Sequence, residues 1–194
     1  EDVRSIWVGL RPLVKPPDDE GGNTKALSRE HTVLASRSGL VTVTGGKWTT
    51  YRAMAEDVLA KCFDEGLLPA RPAGATVQLR LVGAPATPVR HRIYEGQGWH
   101  SYGSEAAAVQ ALPGAQAWLA EGLSEAMVRF AVRCEYARTV EDVLARRCRL
   151  LFLDARLAAR LAPRVAEILQ EEGQNDPGLS GFLALTQQYL QLPV

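Results

Sequence analysis

The sequence predicts a mainly α protein, in which a carboxyl-terminal helical bundle follows a short strand-rich segment. In residues 101–194, apolar side chains recur at the spacing of amphipathic helices. In residues 1–66, β-branched runs end in glycine turns, which is typical of short strands. Residues 67–100 are rich in proline and glycine, and they predict a linker with little regular structure.

The strand-rich part predicts an extended segment, a hairpin and one helix. The run SIWVGLRPLV (5–14) is typical of a strand that ends at a proline. The run HTVLASRSGLVTVTGG (31–46) predicts a hairpin that turns over residues 36–39. Apolar residues at helical spacing follow, and Thr49 or Thr50 can cap that helix.

The carboxyl-terminal part predicts a small bundle of about four to six helices joined by short loops. Ser104 and Ser124 each stand where a helix is expected to begin, so both are candidate caps. Thr139 and Asp142 have the spacing of a reciprocal capping pair. Pro163 lies inside a long amphipathic run and predicts either a kinked helix or a helix pair.

The composition narrows the classes of function. The formal net charge is zero, which argues against binding to nucleic acid through bulk charge. The three cysteines and three histidines show no ligand spacing, so neither a metal site nor a disulfide is predicted. No apolar run approaches the length of a membrane-spanning helix.

The stretch TVTGGKWTTYR (42–52) carries the main functional signal. A β-branched run ends in two glycines and a lysine, and a helix is expected to begin directly afterwards. This order outlines an anion site, because the free N–H groups and the helix dipole point at the turn. The nucleotide P-loop pattern is not met, since Val41 and Trp48 occupy positions that it reserves for glycine and for serine or threonine. A plain surface turn is the alternative.

Three stretches, taken together, resemble one enzyme family. VGLRPL (8–13), LSREH (27–31) and GLVTVTGGKWTTYRAMAED (39–57) occur in the order and spacing of the carboxyl-terminal part of FAD-dependent glycerol-3-phosphate dehydrogenases, the aerobic, quinone-linked type. The run LSEAMVRFAVRCEYARTVEDVLARRCRLLFLDAR (123–156) is similar to that family's helical carboxyl-terminal domain. The resemblance implies that residues 1–66 are the tail of an FAD- and substrate-binding domain.

The family also has an amino-terminal dinucleotide fold with a Gly-x-Gly-x-x-Gly turn after its first strand. This sequence lacks that turn. The resemblance therefore implies that the missing amino-terminal FAD domain is a partner of this chain. By itself the chain is expected to be inactive and to bind no FAD.

The resemblance implies a reaction and a set of site residues. The reaction is oxidation of sn-glycerol 3-phosphate to dihydroxyacetone phosphate, with electrons passed through FAD to quinone. Arg11 and Lys47 are implied to be the catalytic cations near the flavin and the reacting hydroxyl, and Arg29 is implied to help bind the substrate. Such cations suit a dianionic substrate, and arginine matches phosphate with its bidentate fork. The implied cofactor-binding residues are Gly45, Gly46, Lys47, Trp48 and Thr49.

Several alternatives stay open at this stage. The chain could serve as a helical protein-interaction or membrane-docking module, with its strand-rich start as a docking arm. A related glycerol-3-phosphate oxidase passes electrons to oxygen, and nothing in the residues separates this acceptor from quinone. The resemblance implies a cytoplasmic enzyme, peripheral on the cytoplasmic face of the membrane. A homodimer contact and a peripheral membrane contact are options for the helical part, and the division of roles among the three cations is open.

Overall fold

The computed structural model describes residues 2–10, 30–87 and 98–191. The protein is mainly α, as the sequence predicts, with about 52% helix and two small two-stranded sheets in the described part. It forms two compact units. Residues 9–80 make up the first, which we call the hairpin unit, and residues 1–8 with 81–194 make up the second, which we call the helical unit.

The hairpin unit confirms the predicted antiparallel pair. The amide of Ser36 donates to the carbonyl of Leu40 over 2.9 Å and closes the turn between the strands. A helix follows, as the sequence predicts. The elements of this unit are β1 (His31–Ala35), β2 (Val41–Gly45) and α1 (Tyr51–Asp64), with 3₁₀ turns at Trp48–Thr50 and Ala75–Gln78.

The described residues of the hairpin unit form almost no interior. Cys62 on α1 is the one residue among them that is buried. Burial of apolar surface is the dominant favourable term in folding, and this unit achieves little of it. The large apolar side chains that stay exposed include Leu34, Leu40, Val43, Trp48, Tyr51, Leu59, Val77 and Leu79.

The helical unit holds the core of the molecule. Amphipathic helices pack their apolar faces on this core, as their apolar periodicity predicts. Its elements are a 3₁₀ segment (Trp99–Glu105), α2 (Ala106–Gln110), β3 (Trp118–Ala120), β4 (Leu123–Ser124), α3 (Glu125–Cys134), a π-helix (Asp142–Arg147), α4 (Leu150–Leu153), α5 (Ala155–Glu171) and α6 (Leu179–Tyr189). The largest of its fully buried side chains are Phe182, Leu144, Leu151, Ile168 and Leu169.

Two of the predicted caps are present. The hydroxyl of Ser124 accepts a hydrogen bond from the amide of Met127 at 3.4 Å and opens α3. The Asp142 carboxylate accepts from the amide of Thr139, and the Thr139 hydroxyl accepts from the amide of Asp142, each at 3.1 Å. Burial opposes the charge of Asp142, but hydrogen bonds from the Arg138 and Thr139 backbone outweigh burial and lower its pKa.

The strand predicted over residues 5–14 is wrong in the part that the structure describes. Residues 5–10 are in no strand. The backbone amide of Ile6 donates to the carbonyl of Tyr189 at the end of α6, over 2.9 Å. The apolar pattern of this segment therefore reflects docking on helices, because its hydrogen-bonding groups meet helix ends instead of a neighbouring strand.

The helix predicted to open at Ser104 begins two residues later. Ser104 lies in the 3₁₀ segment, and its amide donates to the carbonyl of Gly83 over 2.9 Å. Gly103 has φ 53°, and a Cβ at this position would lie only 2.1 Å from that carbonyl oxygen. The close crossing of two backbones at Gly103 therefore delays the start of α2.

The long run around Pro163 forms one helix, α5, preceded by the short helix α4. Arginines of α3 and α5 pair with carboxylates on the same two helices and at their ends. We call this set the α3–α5 ion-pair network; its members are Arg129, Arg133, Arg164, Glu125, Glu167, Glu171 and Glu172. None of the helices in the described residues is both long and apolar enough to span a membrane.

Candidate functional site

The two glycines after β2 determine the path of the candidate loop, Gly45–Thr49, which we call the glycine–lysine loop. Gly45 has φ 77° and Gly46 has φ 80°, a left-handed conformation that favours glycine. A Cβ on Gly46 would lie 2.6 Å from the sulfur of Met54 and 3.1 Å from Cβ of His31. The loop therefore passes close against α1, and a larger residue at Gly46 would displace it.

A 3₁₀ turn carries the loop into α1. The carbonyl of Lys47 accepts hydrogen bonds from the amide and the hydroxyl of Thr50, each at 3.0 Å. The threonine cap expected here is therefore wrong, because this hydroxyl donates to a carbonyl and leaves the helix amides uncapped. The amides of Trp48 and Thr49 have no acceptor within the described part of the chain.

The side chains of the loop face outward. Lys47 is exposed, and its ammonium has no partner among the residues that the structure describes. Trp48 is 87% exposed and stacks on Tyr51, with ring centroids 5.6 Å apart. An unpaired cation beside uncapped amides at a helix N-terminus is an arrangement that attracts an anion.

Three polar contacts connect the elements around the loop. Nε2 of His31 lies 2.8 Å from a carboxylate oxygen of Asp57 and links β1 to α1. The Thr76 hydroxyl donates to Glu56 at 2.6 Å, and Arg52 pairs with the same carboxylate at 3.0 Å. The hydrogen bond from Thr76, assisted by Arg52, lowers the pKa of Glu56 against the effect of desolvation.

The structure places five of the predicted site residues on a single turn, Gly45–Thr49, at the start of α1. Arg11 and Arg29 lie outside the described residues. Sequence reasoning missed the hydrogen bond between His31 and Asp57, and no local pattern could reveal it, since 26 residues separate the partners. No group of histidine, cysteine and carboxylate side chains suited to a metal occurs in residues 2–10, 30–87 and 98–191.

The helical unit defines a class of protein. The family model described as the C-terminal domain of alpha-glycerophosphate oxidase matches residues 97–177, which lie within this unit. The match stops short of the glycine–lysine loop. The helices from the 3₁₀ segment to the π-helix and α5 are therefore those of this domain class.

Similar proteins from plants and mammals extend the similarity over both units. A mitochondrial glycerol-3-phosphate dehydrogenase of Arabidopsis thaliana is 38% identical over 205 residues, which cover 90% of this chain and 32% of the relative. The mitochondrial glycerol-3-phosphate dehydrogenases of Rattus norvegicus and Homo sapiens are 36% and 35% identical over 192 residues, covering 88% of this chain and 26% of each relative.

Over about nine-tenths of its length, the chain is similar to the carboxyl-terminal part of glycerol-3-phosphate dehydrogenases. It spans about a quarter to a third of the length of the relatives named above. The predicted resemblance is thereby confirmed.

Proposed function

We propose that this chain is the carboxyl-terminal part of a flavoenzyme that oxidises sn-glycerol 3-phosphate to dihydroxyacetone phosphate and passes the electrons through FAD to quinone. The observation that carries the proposal is the similarity of about nine-tenths of the chain to glycerol-3-phosphate dehydrogenases. The glycine–lysine loop supports it, because its uncapped amides and unpaired lysine suit a negatively charged ligand.

The residues of the loop fit an FAD site. Gly45 and Gly46 take left-handed conformations, so the backbone can approach a flat ring without Cβ atoms in between. The amides of Trp48 and Thr49 can donate to an anionic ring edge, and the N-terminus of α1 favours negative charge there. When bound, FAD would supply the two-electron acceptor for the oxidation of C2, the carbon that carries the reacting hydroxyl.

Three residues of this chain share two tasks in the proposed reaction. Lys47 and Arg11 place positive charge beside the C2 hydroxyl, where they stabilise the alkoxide that develops as its proton leaves. Arg29 holds the substrate through charge-assisted hydrogen bonds. All three favour a dianionic substrate over a neutral polyol.

The rest of the proposed enzyme lies in polypeptide beyond this chain. The hairpin unit buries one described residue and exposes many apolar ones, which suits a segment that is covered by an FAD-binding domain. The helical unit then serves as a cap that packs on the catalytic body, and it can also carry a homodimer contact. We place the intact enzyme on the membrane face as a peripheral protein, where it reaches quinone.

The test of the proposal is replacement of Lys47 in the intact, flavin-loaded enzyme. Lys47→Met keeps the aliphatic stem and removes the charge. We expect kcat/KM for sn-glycerol 3-phosphate to fall about 100-fold, since loss of one group that stabilises developing charge has an effect of this order. Flavin content, measured by absorbance, should stay stoichiometric.

Lys61→Met is the matched control. Lys61 lies on the same unit, and among the described residues its ammonium pairs with Glu65, one helical turn away at 2.7 Å. We expect its kinetics to match the wild type, because a surface ion pair contributes little. If Lys47→Met and Lys61→Met show the same kcat/KM, Lys47 is not part of the site.

Oxygen is a second candidate acceptor. It is favoured by one observation, the description of the matching family model as a domain of alpha-glycerophosphate oxidase. Parallel measurement of oxygen uptake and quinone reduction by the intact enzyme separates the two. Substrate oxidation that is matched by peroxide formation and proceeds without quinone would replace the dehydrogenase assignment with an oxidase.

A further inference from the structure

A hydrogen bond between His31 and Asp57 lies beside the glycine–lysine loop, within the hairpin unit. His31 is the first residue of β1, and Asp57 lies in the second turn of α1. Nε2 of His31 is 2.8 Å from a carboxylate oxygen of Asp57. An ionised carboxylate can only accept hydrogen bonds, so the histidine donates through Nε2. The bond therefore joins the first strand of the hairpin to the helix that follows the loop.

The loop backbone passes between the same two elements. In the antiparallel pair, His31 lies opposite Gly45. A Cβ built on Gly46 would lie 2.6 Å from the sulfur of Met54 on α1 and 3.1 Å from Cβ of His31. Met54 and Asp57 are three residues apart, and residues at this spacing share one face of a helix. The face of α1 that accepts the hydrogen bond therefore also contacts the loop.

The loop depends on its flanking elements for its conformation. Gly45 and Gly46 are both left-handed, and glycine loses more backbone freedom on ordering than any other residue. None of the residues from Gly45 to Thr49 is buried, so the loop has no side chain of its own that fixes it in an interior. Contacts that hold β1 against α1 therefore also determine where the loop lies.

Apolar packing in the hairpin unit offers little to replace this hydrogen bond. Cys62 is the one buried residue among those described in this unit, and it lies more than one turn beyond Asp57 on α1. The side chain of His31 is 22% exposed, so its ring is largely covered where it meets the helix. The hydrogen bond thus makes a larger share of the contact between β1 and α1 than it would in a well-packed domain.

We propose that His31 and Asp57 are positioning residues, which hold the glycine–lysine loop in the conformation that stabilises reduced flavin. This inference rests on the proposed function. The uncapped amides of Trp48 and Thr49 and the N-terminus of α1 can favour negative charge on the flavin ring only while the loop is in place. The pair acts through the loop, and contact with flavin or substrate is no part of its role.

The test is the midpoint potential of the flavin in the intact, flavin-loaded enzyme, measured by spectroelectrochemical titration. Asp57→Ala and His31→Phe each remove the hydrogen bond, and the second change keeps a planar ring. One hydrogen bond to a charged group corresponds to about a tenfold change in an equilibrium. We therefore expect the reduced form to be stabilised about tenfold less, which lowers the potential of a two-electron couple by about 30 mV.

The sign of the shift distinguishes positioning from a simple charge effect. Asp57→Ala also removes a negative charge, and that loss alone would favour the reduced, negatively charged flavin and raise the potential. A fall in potential therefore requires that the loop has moved. Asp64→Ala removes the same charge at an exposed residue at the end of α1, and we expect it to cause no fall.

Two conservative variants complete the test. His31→Gln keeps an N–H donor and Asp57→Asn keeps a carbonyl acceptor, so both should restore most of the wild-type potential. The side chain of Asp57 is 58% exposed, so Asp57→Ala remains informative even if His31→Phe does not fold.

The outcomes separate the two proposals. If Asp57→Ala and His31→Phe lower the melting temperature while the potential stays unchanged or rises, the pair is a purely structural contact and the inference is overturned. Release of the flavin from both variants would also overturn it, because the pair would then serve both redox forms. An intact wild-type protein that does not oxidise sn-glycerol 3-phosphate overturns the proposed function itself. A fall in potential that His31→Gln and Asp57→Asn reverse supports the inference.

Discussion

At the scale of single residues, the glycine–lysine loop could be predicted from the sequence because its residues are consecutive. The left-handed backbone of Tyr136, with φ 59°, could not be predicted. It is the one such conformation among the described residues other than glycine. Tyr136 follows α3, where the amide of Ala137 donates to the carbonyl of Ala131 at 3.0 Å and ends the helix. Helix ends of this type usually have glycine at this position, so a tyrosine here gives no indication in the sequence that the helix ends.

Tyr136→Gly should stabilise the chain. Its side chain is 79% exposed, so little packing is lost, and glycine removes a left-handed strain of about 1 kcal/mol. We expect the free energy of unfolding, measured with urea, to rise by about that amount. Tyr136→Ala, which keeps the Cβ, should give no such gain. Equal stability of the glycine and alanine variants would show that the backbone is not strained.

At the scale of elements, α3 and α5 are joined by the α3–α5 ion-pair network as well as by apolar packing. Arg129 is only 9% exposed and lies 2.9 Å from Glu172, whose side chain is 8% exposed. Hydrogen bonding to Arg133, with a further contribution from Arg129, lowers the pKa of Glu172 against the effect of burial. The sequence predicts the helices from their apolar spacing but not these partners, which are 39 to 43 residues apart.

Arg129→Met should destabilise the helical unit strongly. The change leaves Glu172 buried and paired only with Arg133, and loss of one partner from a largely buried pair costs about 3 kcal/mol. Thermal and urea unfolding measure this loss. Arg146→Met is the control. Arg146 is an exposed residue that pairs with Glu141 and Asp142, and a surface ion pair of this kind contributes about 0.5 kcal/mol. Similar losses for both variants would show that burial of the network does not matter.

At the scale of the whole molecule, the two units differ in how well their described residues are covered. The buried apolar cluster lies entirely in the helical unit, and Cys62, the one buried residue described in the hairpin unit, is not part of it. Cooperative stability follows buried apolar surface, so the two units should open with different free energies. This contrast is what a carboxyl-terminal portion of a larger enzyme would show.

Hydrogen exchange of the purified chain should therefore be uneven. We expect the amides of α1 to exchange with solvent much faster than those of α3 and α5, because local opening of α1 exposes little additional apolar surface. Mass spectrometry of peptides from both units measures the rates. If α1 is protected as strongly as α5, the hairpin unit is stable without further polypeptide, and the proposed cover by an FAD-binding domain loses its structural support.

The sequence by itself determined what depends on near neighbours along the chain. The hairpin at residues 36–39, the cap at Ser124 and the glycine–lysine loop each rest on a few adjacent residues, whose conformations are limited by local sterics and hydrogen bonding. The family resemblance also came from such short runs. These predictions needed no knowledge of distant contacts.

Only the tertiary structure decided which distant residues meet. The apolar run at residues 5–10 is compatible both with a strand and with docking on helices, and the contact of Ser5 with Ala155 selects the second. The partners of Arg129 and of His31 were equally undetermined. Contacts between residues far apart in the chain depend on how whole helices and strands pack. The spacing of residues along the sequence indicates the type of each element but not its packing partners.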